Sequence, residues 1–187
     1  MTTHDGTDRS RGTPREEVVQ RGLYYDELRE DVRYVHRPGR TLTEADDVLF
    51  TSVTMNPQAL HLDFAWAARQ PFGRPLTNSM LTLATLVGLS VAHLTRDTIV
   101  ANLGFSDVRF PAPVFHGDTL YGATTVRDKR PSRSRPGTGI VTLEHVGTNA
   151  DDDVVAVAVR TVLVWTREGH EQATREHGEH GGDGSTP

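Results

Sequence analysis

The sequence predicts an α+β domain in which an antiparallel sheet wraps around one long central helix. Two observations lead to this prediction. A nearly continuous apolar stretch at 76–94 has the length of a buried helix. Four longer segments of strand character follow it, and clusters of Pro, Gly and Asp that form turns separate them: 98–110, 118–128, 139–149 and 153–165.

A short strand and a helix are predicted before the central helix. The strand covers 32–37, and Thr43 can cap the helix that follows because Asp46, three residues later, completes a capping box. This helix is expected to end near Asn56, since Pro57 disfavours helical geometry in the residue before it. Its apolar face carries Ala45, Leu49 and Val53.

The central helix is expected to lie in a protein core and not in a membrane. Asn78, Ser79 and His93 interrupt its apolar stretch and make it too polar for a membrane span. The last strand, at 153–165, consists largely of Val and Ala, which is typical of a strand covered on both faces. A further helical turn or two is predicted at 62–68.

Length and composition describe one domain with polar ends. Residues 1–20 and 167–187 lack apolar periodicity, so both are predicted to be disordered tails around a folded domain at 21–166. The 20 basic and 25 acidic side chains are spread along the chain, which argues against a nucleic-acid partner. The chain has no cysteine and no apolar N-terminal run, so a cytoplasmic location is predicted. The irregularly spaced histidines of the C-terminal tail predict no metal site.

One histidine, His61, follows an Asn-Pro pair in the stretch NPQALH at 56–61, with no carboxylate between them. A histidine can exchange protons near neutrality, whereas an asparagine can only orient a water or a carbonyl. Two readings remain open from these residues alone: a proton-transfer site, or a structural histidine after a helix cap at Asn56. Asp63 either orients the His61 imidazole or caps the next helical turn.

Residues 22–165 resemble the MaoC-like (R)-specific enoyl-CoA hydratases. The signature of that family reads D-x-N-P-[LIV]-H and is followed by HGM at the start of the central helix. Here His61 and Leu60 match the signature, Asn56 stands in place of its aspartate and Gln58 in place of its asparagine. Asn-Ser-Met at 78–80 takes the place of HGM, and FPAPVFHGDTL at 110–120 resembles the strand-turn-strand after the helix.

The resemblance implies a hot-dog fold, a homodimer with sites at its interface, and hydration of a 2-enoyl-CoA thioester. His61 would be the sole proton carrier, and Asn56 would fix the attacking water. The thioester oxygen would be held by the backbone N–H of Ser79, with Asn78 and Gln58 beside it. No cofactor is expected, because CoA is part of the substrate. The combination of TMN, H-x-D and DKRPSRSRP is similar to a branch that acts on mesaconyl-CoA or itaconyl-CoA.

A basic connection at 128–139 contains Arg130, Arg133 and Arg135. Arginine side chains suit phosphate and carboxylate oxygens, so these three are predicted to bind CoA phosphate or a substrate carboxylate. The alternative is a solvated loop.

Two other functions compatible with this fold are considered. Hot-dog thioesterases employ a carboxylate on or near the central helix, and the stretch 76–94 contains no Asp or Glu. A non-catalytic acyl-CoA-binding subunit is the stronger rival, because Asn56 lacks the acid of the family signature.

Overall fold

The computed structural model describes residues 17–180. Its five strands form one antiparallel sheet in the order β1-β3-β4-β5-β2. They are β1 (Arg33–Thr41), β2 (Ile99–Arg109), β3 (Thr119–Pro131), β4 (Thr138–Thr148) and β5 (Val154–Trp165). All five strands were predicted from the sequence, and β5 is buried along nearly its whole length between β4 and β2, as its Val and Ala content indicated.

Five helices accompany the sheet: α1 (Glu44–Val53), α2 (Ala59–Leu62), α3 (Phe64–Ala67), α4 (Ser79–Leu94) and α5 (Arg167–His180). The long helix α4 packs chiefly on β3 and β1. This arrangement confirms the predicted hot-dog architecture. None of the helices in the described part of the chain is long and apolar enough to span a membrane.

The contact between α4 and the sheet centres on Leu86, which is fully buried. Gly122 on β3 and Gly147 on β4 lie directly beneath it. A Cβ atom at Gly147 would lie 3.3 Å from the Leu86 side chain, and one at Gly122 would lie 3.4 Å from it. The absence of side chains at these two strand positions therefore lets the helix approach the sheet closely.

Helix α1 starts as predicted, because Thr43 and Asp46 form the capping box. Its buried face is not the predicted one. Leu49 is 65% exposed and Val53 is 69% exposed, whereas Asp47 and Thr51 are completely buried. The helix therefore turns a polar face toward the interior of this chain, where α4 begins, and leaves its apolar face uncovered.

The C-terminal segment is not the disordered tail that was predicted, since 167–180 form α5. The His170 ring stacks on Trp165 with ring centroids 5.9 Å apart, and its Nδ1 lies 3.0 Å from the Tyr24 hydroxyl. The low hydropathy of this segment concealed the few contacts that hold it. Most of the N-terminal tail predicted at 1–20, namely residues 1–16, and the last residues, 181–187, lie outside the described residues.

Candidate active site

A cavity of about 290 Å³ opens at the N-terminus of α4. Its walls come from the start of α4, from the loop between β2 and β3, and from β5: Phe72, Leu76, Thr77, Ser79, Thr82, 110–114 and Val155. Most of these side chains are apolar, and the hydroxyls of threonine and serine are the exceptions. Ligand sites commonly have this composition, an apolar wall with a few polar groups.

His61 lies in α2, and its side chain is hydrogen bonded to a residue of the cavity wall. Its Nδ1 atom is 2.8 Å from the backbone oxygen of Leu76, a lining residue. A carbonyl oxygen only accepts hydrogen bonds, so Nδ1 carries the proton and donates it. In the neutral imidazole this leaves Nε2 unprotonated and able to accept a proton.

Asn56 follows α1, and its backbone N–H donates to the carbonyl of Thr51. Its side-chain Oδ1 accepts a hydrogen bond from the backbone N–H of Gln58 at 3.0 Å. This local turn occupies the amide oxygen and leaves the amide NH₂ as the group available to a ligand or a water. The Gln58 side chain is exposed and, within the described residues, makes no hydrogen bond, so the geometry does not support its predicted contact with the thioester.

The start of α4 presents one free donor to the cavity. Asn78 is the N-cap, and its Oδ1 accepts from the N–H of Met80 while its Nδ2 donates to Thr51. Both polar atoms of the Asn78 side chain are therefore hydrogen bonded at the helix N-terminus, and neither is left for the predicted contact with a thioester. The backbone N–H of Ser79 has no hydrogen-bond partner within residues 17–180, and Ser79 lines the cavity. Free N–H groups at a helix N-terminus favour negative charge.

Asp63 caps α3, because its Oδ1 accepts from the backbone N–H of Trp66 at 2.8 Å. Of the two readings left open by the sequence, the structure favours the cap.

Two residues of this region were not assigned a role from the sequence, Asp47 and His116. Asp47 Oδ1 accepts from the backbone N–H of Asn78 at 2.8 Å, and its Oδ2 lies 2.9 Å from His116 Nε2. The His116 side chain is 15% exposed, and its ring packs against Phe64 with centroids 5.6 Å apart. The available signal was the polar pair at positions 47 and 51, spaced to share one face of α1.

The basic connection lies at the other end of the sheet. Strand β3 begins at Thr119, close to the cavity, and Arg130 is 11 residues further along it, or about 35 Å away at the rise of an extended strand. Arg133 and Arg135 lie beyond the end of that strand. Within one chain these arginines do not line the cavity near His61, so the structure of one chain does not support their predicted contact with CoA phosphate or a substrate carboxylate at this cavity.

We therefore expect the double substitution Arg133→Ala and Arg135→Ala to leave the KM for an enoyl-CoA within about twofold of the unchanged protein, because no uniform binding energy is removed. Initial rates over a range of substrate concentrations would measure this. A KM raised about fivefold or more would place the loop in the binding site of a neighbouring chain.

Comparison with known proteins gives the following similarities. Residues 28–149 match the family model described as MaoC like domain. Over 147 residues the chain is 33% identical to a beta-methylmalyl-CoA dehydratase from Chloroflexus aurantiacus, a match that covers 79% of this chain and 41% of that protein. Over 146 residues it is 28% identical to a mesaconyl-CoA hydratase from Haloarcula marismortui, with 78% and 40% covered. The chain spans about two fifths of the length of these curated relatives.

Solved structures show the same similarity. A MaoC-like dehydratase from Rhodospirillum rubrum has a TM-score of 0.68 and 28% identity, and the match covers 78% of this chain and 99% of that one. A Mycobacterium tuberculosis protein with a double hotdog fold also has a TM-score of 0.68, at 27% identity, with 78% of this chain and 44% of that chain covered.

Proposed function

This chain belongs to the MaoC-like domain family, and from that premise we propose that it catalyses the reversible hydration of a 2-enoyl-CoA to a 3-hydroxyacyl-CoA. One observation carries the proposal: His61 donates from Nδ1 to the cavity wall, so that its Nε2 is left to accept a proton. A free backbone donor, the N–H of Ser79, lies on the same cavity.

The proposed reaction adds water across the double bond of the thioester. The water oxygen attacks Cβ while one water proton passes to His61 Nε2, and the thioester oxygen gains negative charge as an enolate. The N–H of Ser79 stabilises that charge. His61 then returns the proton to Cα on the same face, so that one water is consumed in a syn addition and the imidazole is regenerated. The amide NH₂ of Asn56 holds the water oxygen and leaves its protons for the histidine.

We propose that the acyl group is short and branched or dicarboxylic. The apolar wall suits a short branched chain, and the two curated relatives described above are named for methylmalyl-CoA and mesaconyl-CoA. A distal carboxylate would also need a cation. Arg74 stands in the chain between the lining residues Phe72 and Leu76, and its guanidinium lies 3.5 Å from the centre of the Phe115 ring. This stacking holds a positive charge near the cavity.

A homodimer is proposed because two apolar surfaces of the chain are uncovered. Leu49 and Val53 are exposed on α1. The edge strand β2 exposes Leu103 by 51% and Phe105 by 42% and pairs on one side only. A second copy would cover such surfaces. The double hotdog relative, of which this chain matches less than half, supports the same assembly.

The cytoplasmic location remains a prediction.

A panel of thioesters tests the proposal. Crotonyl-, mesaconyl- and itaconyl-CoA are each incubated with the protein, and both the absorbance of the conjugated enoyl group and free thiol are followed. Loss of absorbance without thiol supports hydration. Release of thiol would indicate a thioesterase, a reaction for which Asp47, the buried carboxylate near α4, is poorly suited because both of its oxygens are already hydrogen bonded. Binding without turnover of any substrate would indicate the non-catalytic subunit.

A further inference from the structure

We propose that Asp47 and His116 form a positioning pair that sets the N-terminus of α4, and with it the Ser79 N–H, for the thioester oxygen. This inference rests on the proposed hydration and extends it to two residues outside the cavity lining. Neither residue belongs to the matched signature around His61.

The first step of the argument is the burial of Asp47. Its side chain has no exposed surface, yet it carries a carboxylate, which must be compensated by hydrogen bonds or charge. Both compensating partners belong to the candidate site. Oδ1 accepts from the N–H of Asn78, the N-cap residue directly before Ser79, and Oδ2 lies 2.9 Å from His116 Nε2. A displaced Asp47 would therefore move the start of α4.

The second step is the place of His116 in the cavity wall. His116 lies in the loop between β2 and β3, and its neighbour Phe115 forms an isolated antiparallel bridge with Leu76. Leu76 is the residue whose carbonyl accepts from His61. The pair therefore connects three parts of the site: helix α1, the start of α4, and the loop that pairs with Leu76, whose carbonyl accepts from His61. A shift of about 1 Å in such a frame can lower a rate substantially.

The third step concerns charge. Asp47 places a negative charge at the same helix end where the proposed enolate develops its own negative charge. The hydrogen bond from His116 Nε2–H to Oδ2 offsets part of the carboxylate charge. Without this donor, an uncompensated carboxylate would oppose the charge that the Ser79 N–H has to stabilise.

His116 is assigned a positioning role and not proton transfer. Its Nε2 is engaged with the buried carboxylate of Asp47, whereas the Nε2 of His61 has no hydrogen-bond partner within the described residues. The role requires only a side-chain N–H at that place, which a glutamine amide also supplies.

The experiment compares His116→Leu, His116→Gln and Asp47→Asn with an exposed-histidine control, His93→Leu. In His116→Leu we expect kcat to fall about tenfold or more while KM changes less than about twofold, the pattern of an interaction needed only in the transition state. His116→Gln is expected to keep kcat within about threefold, because its amide donates to Asp47. Asp47→Asn should resemble His116→Leu, since one amide oxygen cannot replace two carboxylate acceptors. The control should match the unchanged protein.

A second measurement does not depend on turnover. The backbone amide resonances of Asn78 and Ser79 in a ¹⁵N spectrum should shift in His116→Leu and remain in place in His116→Gln. Unmoved resonances in His116→Leu, or an unchanged kcat, would overturn the proposal. Equal loss of kcat in the Leu and Gln variants would also overturn it, in favour of proton transfer by the imidazole. A wild-type protein without turnover would refute the hydration itself, and the amide resonances would then decide the positioning role alone.

Discussion

Replacing His61 by alanine is expected to lower kcat by at least about 100-fold, the usual contribution of a positioned acid-base group. The reason is the arrangement of its ring nitrogens. Nδ1 is held by the Leu76 carbonyl, so Nε2 is the atom left to take a proton from water. The other side chain assigned to this chemistry, Asn56, does not titrate. Steady-state rates on the enoyl-CoA that is turned over fastest would measure the loss.

His61→Asn separates the two functions of the imidazole. An asparagine amide at this position keeps a donor for the Leu76 carbonyl but has no group that accepts and returns a proton. We expect this variant to retain the melting temperature of the unchanged protein and to lose as much activity as His61→Ala. His93→Ala, on the exposed side of α4, is the matched control and should keep full activity. More than about a tenth of the original kcat in His61→Ala would remove this residue from the mechanism.

Much of the fold follows from local sequence patterns. Turn-forming clusters separate the strands, and the Val and Ala content of β5 indicates a strand with two covered faces. The exposed apolar face of α1 does not follow from them. Apolar periodicity identifies a face that avoids water, but it does not say whether this chain or another one covers that face. On α1, Leu49 and Val53 are exposed within the chain and Asp47 is buried.

The candidate site was predictable only in part. The sequence predicts His61 and the start of α4 as site residues because a single motif and a helix boundary mark them. Asp47 and His116 are 69 residues apart, and nothing local relates them. A buried carboxylate on a polar helix face looks like a solvated residue until its partners are known. The position of the basic connection was hidden for the opposite reason: its charges suit CoA, but they do not show that β3 extends for about 35 Å, at the rise of an extended strand, between its first residue and this connection.

A second group of buried histidines lies on the sheet. Thr124 Oγ1 on β3 is 2.8 Å from His36 Nε2 on β1 and 2.8 Å from His145 Nδ1 on β4. Both rings are almost completely buried. Burial, with the neighbouring charges of His93 and Arg37, lowers the pKa of His36 to about 4.

The pKa of His145 is lowered still further. Burial is the main cause, the charge of Arg160 and then His36 add to it, and the pKa is about 3. Neither imidazole of this pair can therefore be protonated at mildly acidic pH without loss of the native environment.

The free energy of unfolding is expected to decrease steeply as the pH falls below 6.5, the ordinary histidine value. The unfolded chain binds a proton at each of these two histidines near pH 6.5, whereas the folded chain keeps both neutral until pH 4 and pH 3. Their contribution is fully present above pH 6.5 and is lost as the pH falls through this window. By linkage the loss amounts to about 5 kcal/mol at a pH of about 4.5. Urea unfolding at a series of pH values would measure it.

The slope of that pH dependence identifies the groups responsible. Between about pH 6 and pH 5, unfolding should take up close to two protons in the unchanged protein and close to one in His145→Gln, which no longer titrates at that position. Thr124→Val is the matched control: it removes the hydroxyl shared by both rings and lowers the free energy of unfolding at every pH, but both imidazoles still titrate and the slope should persist. The hydrogen bond from Arg21 lowers the pKa of Glu27 to about 2. Most of the effect of Glu27 on the free energy of unfolding therefore lies below the pH range of about 5 to 6 used here. A slope of less than about one proton in the unchanged protein would mean that water or a rearranged side chain reaches these histidines before the fold is lost.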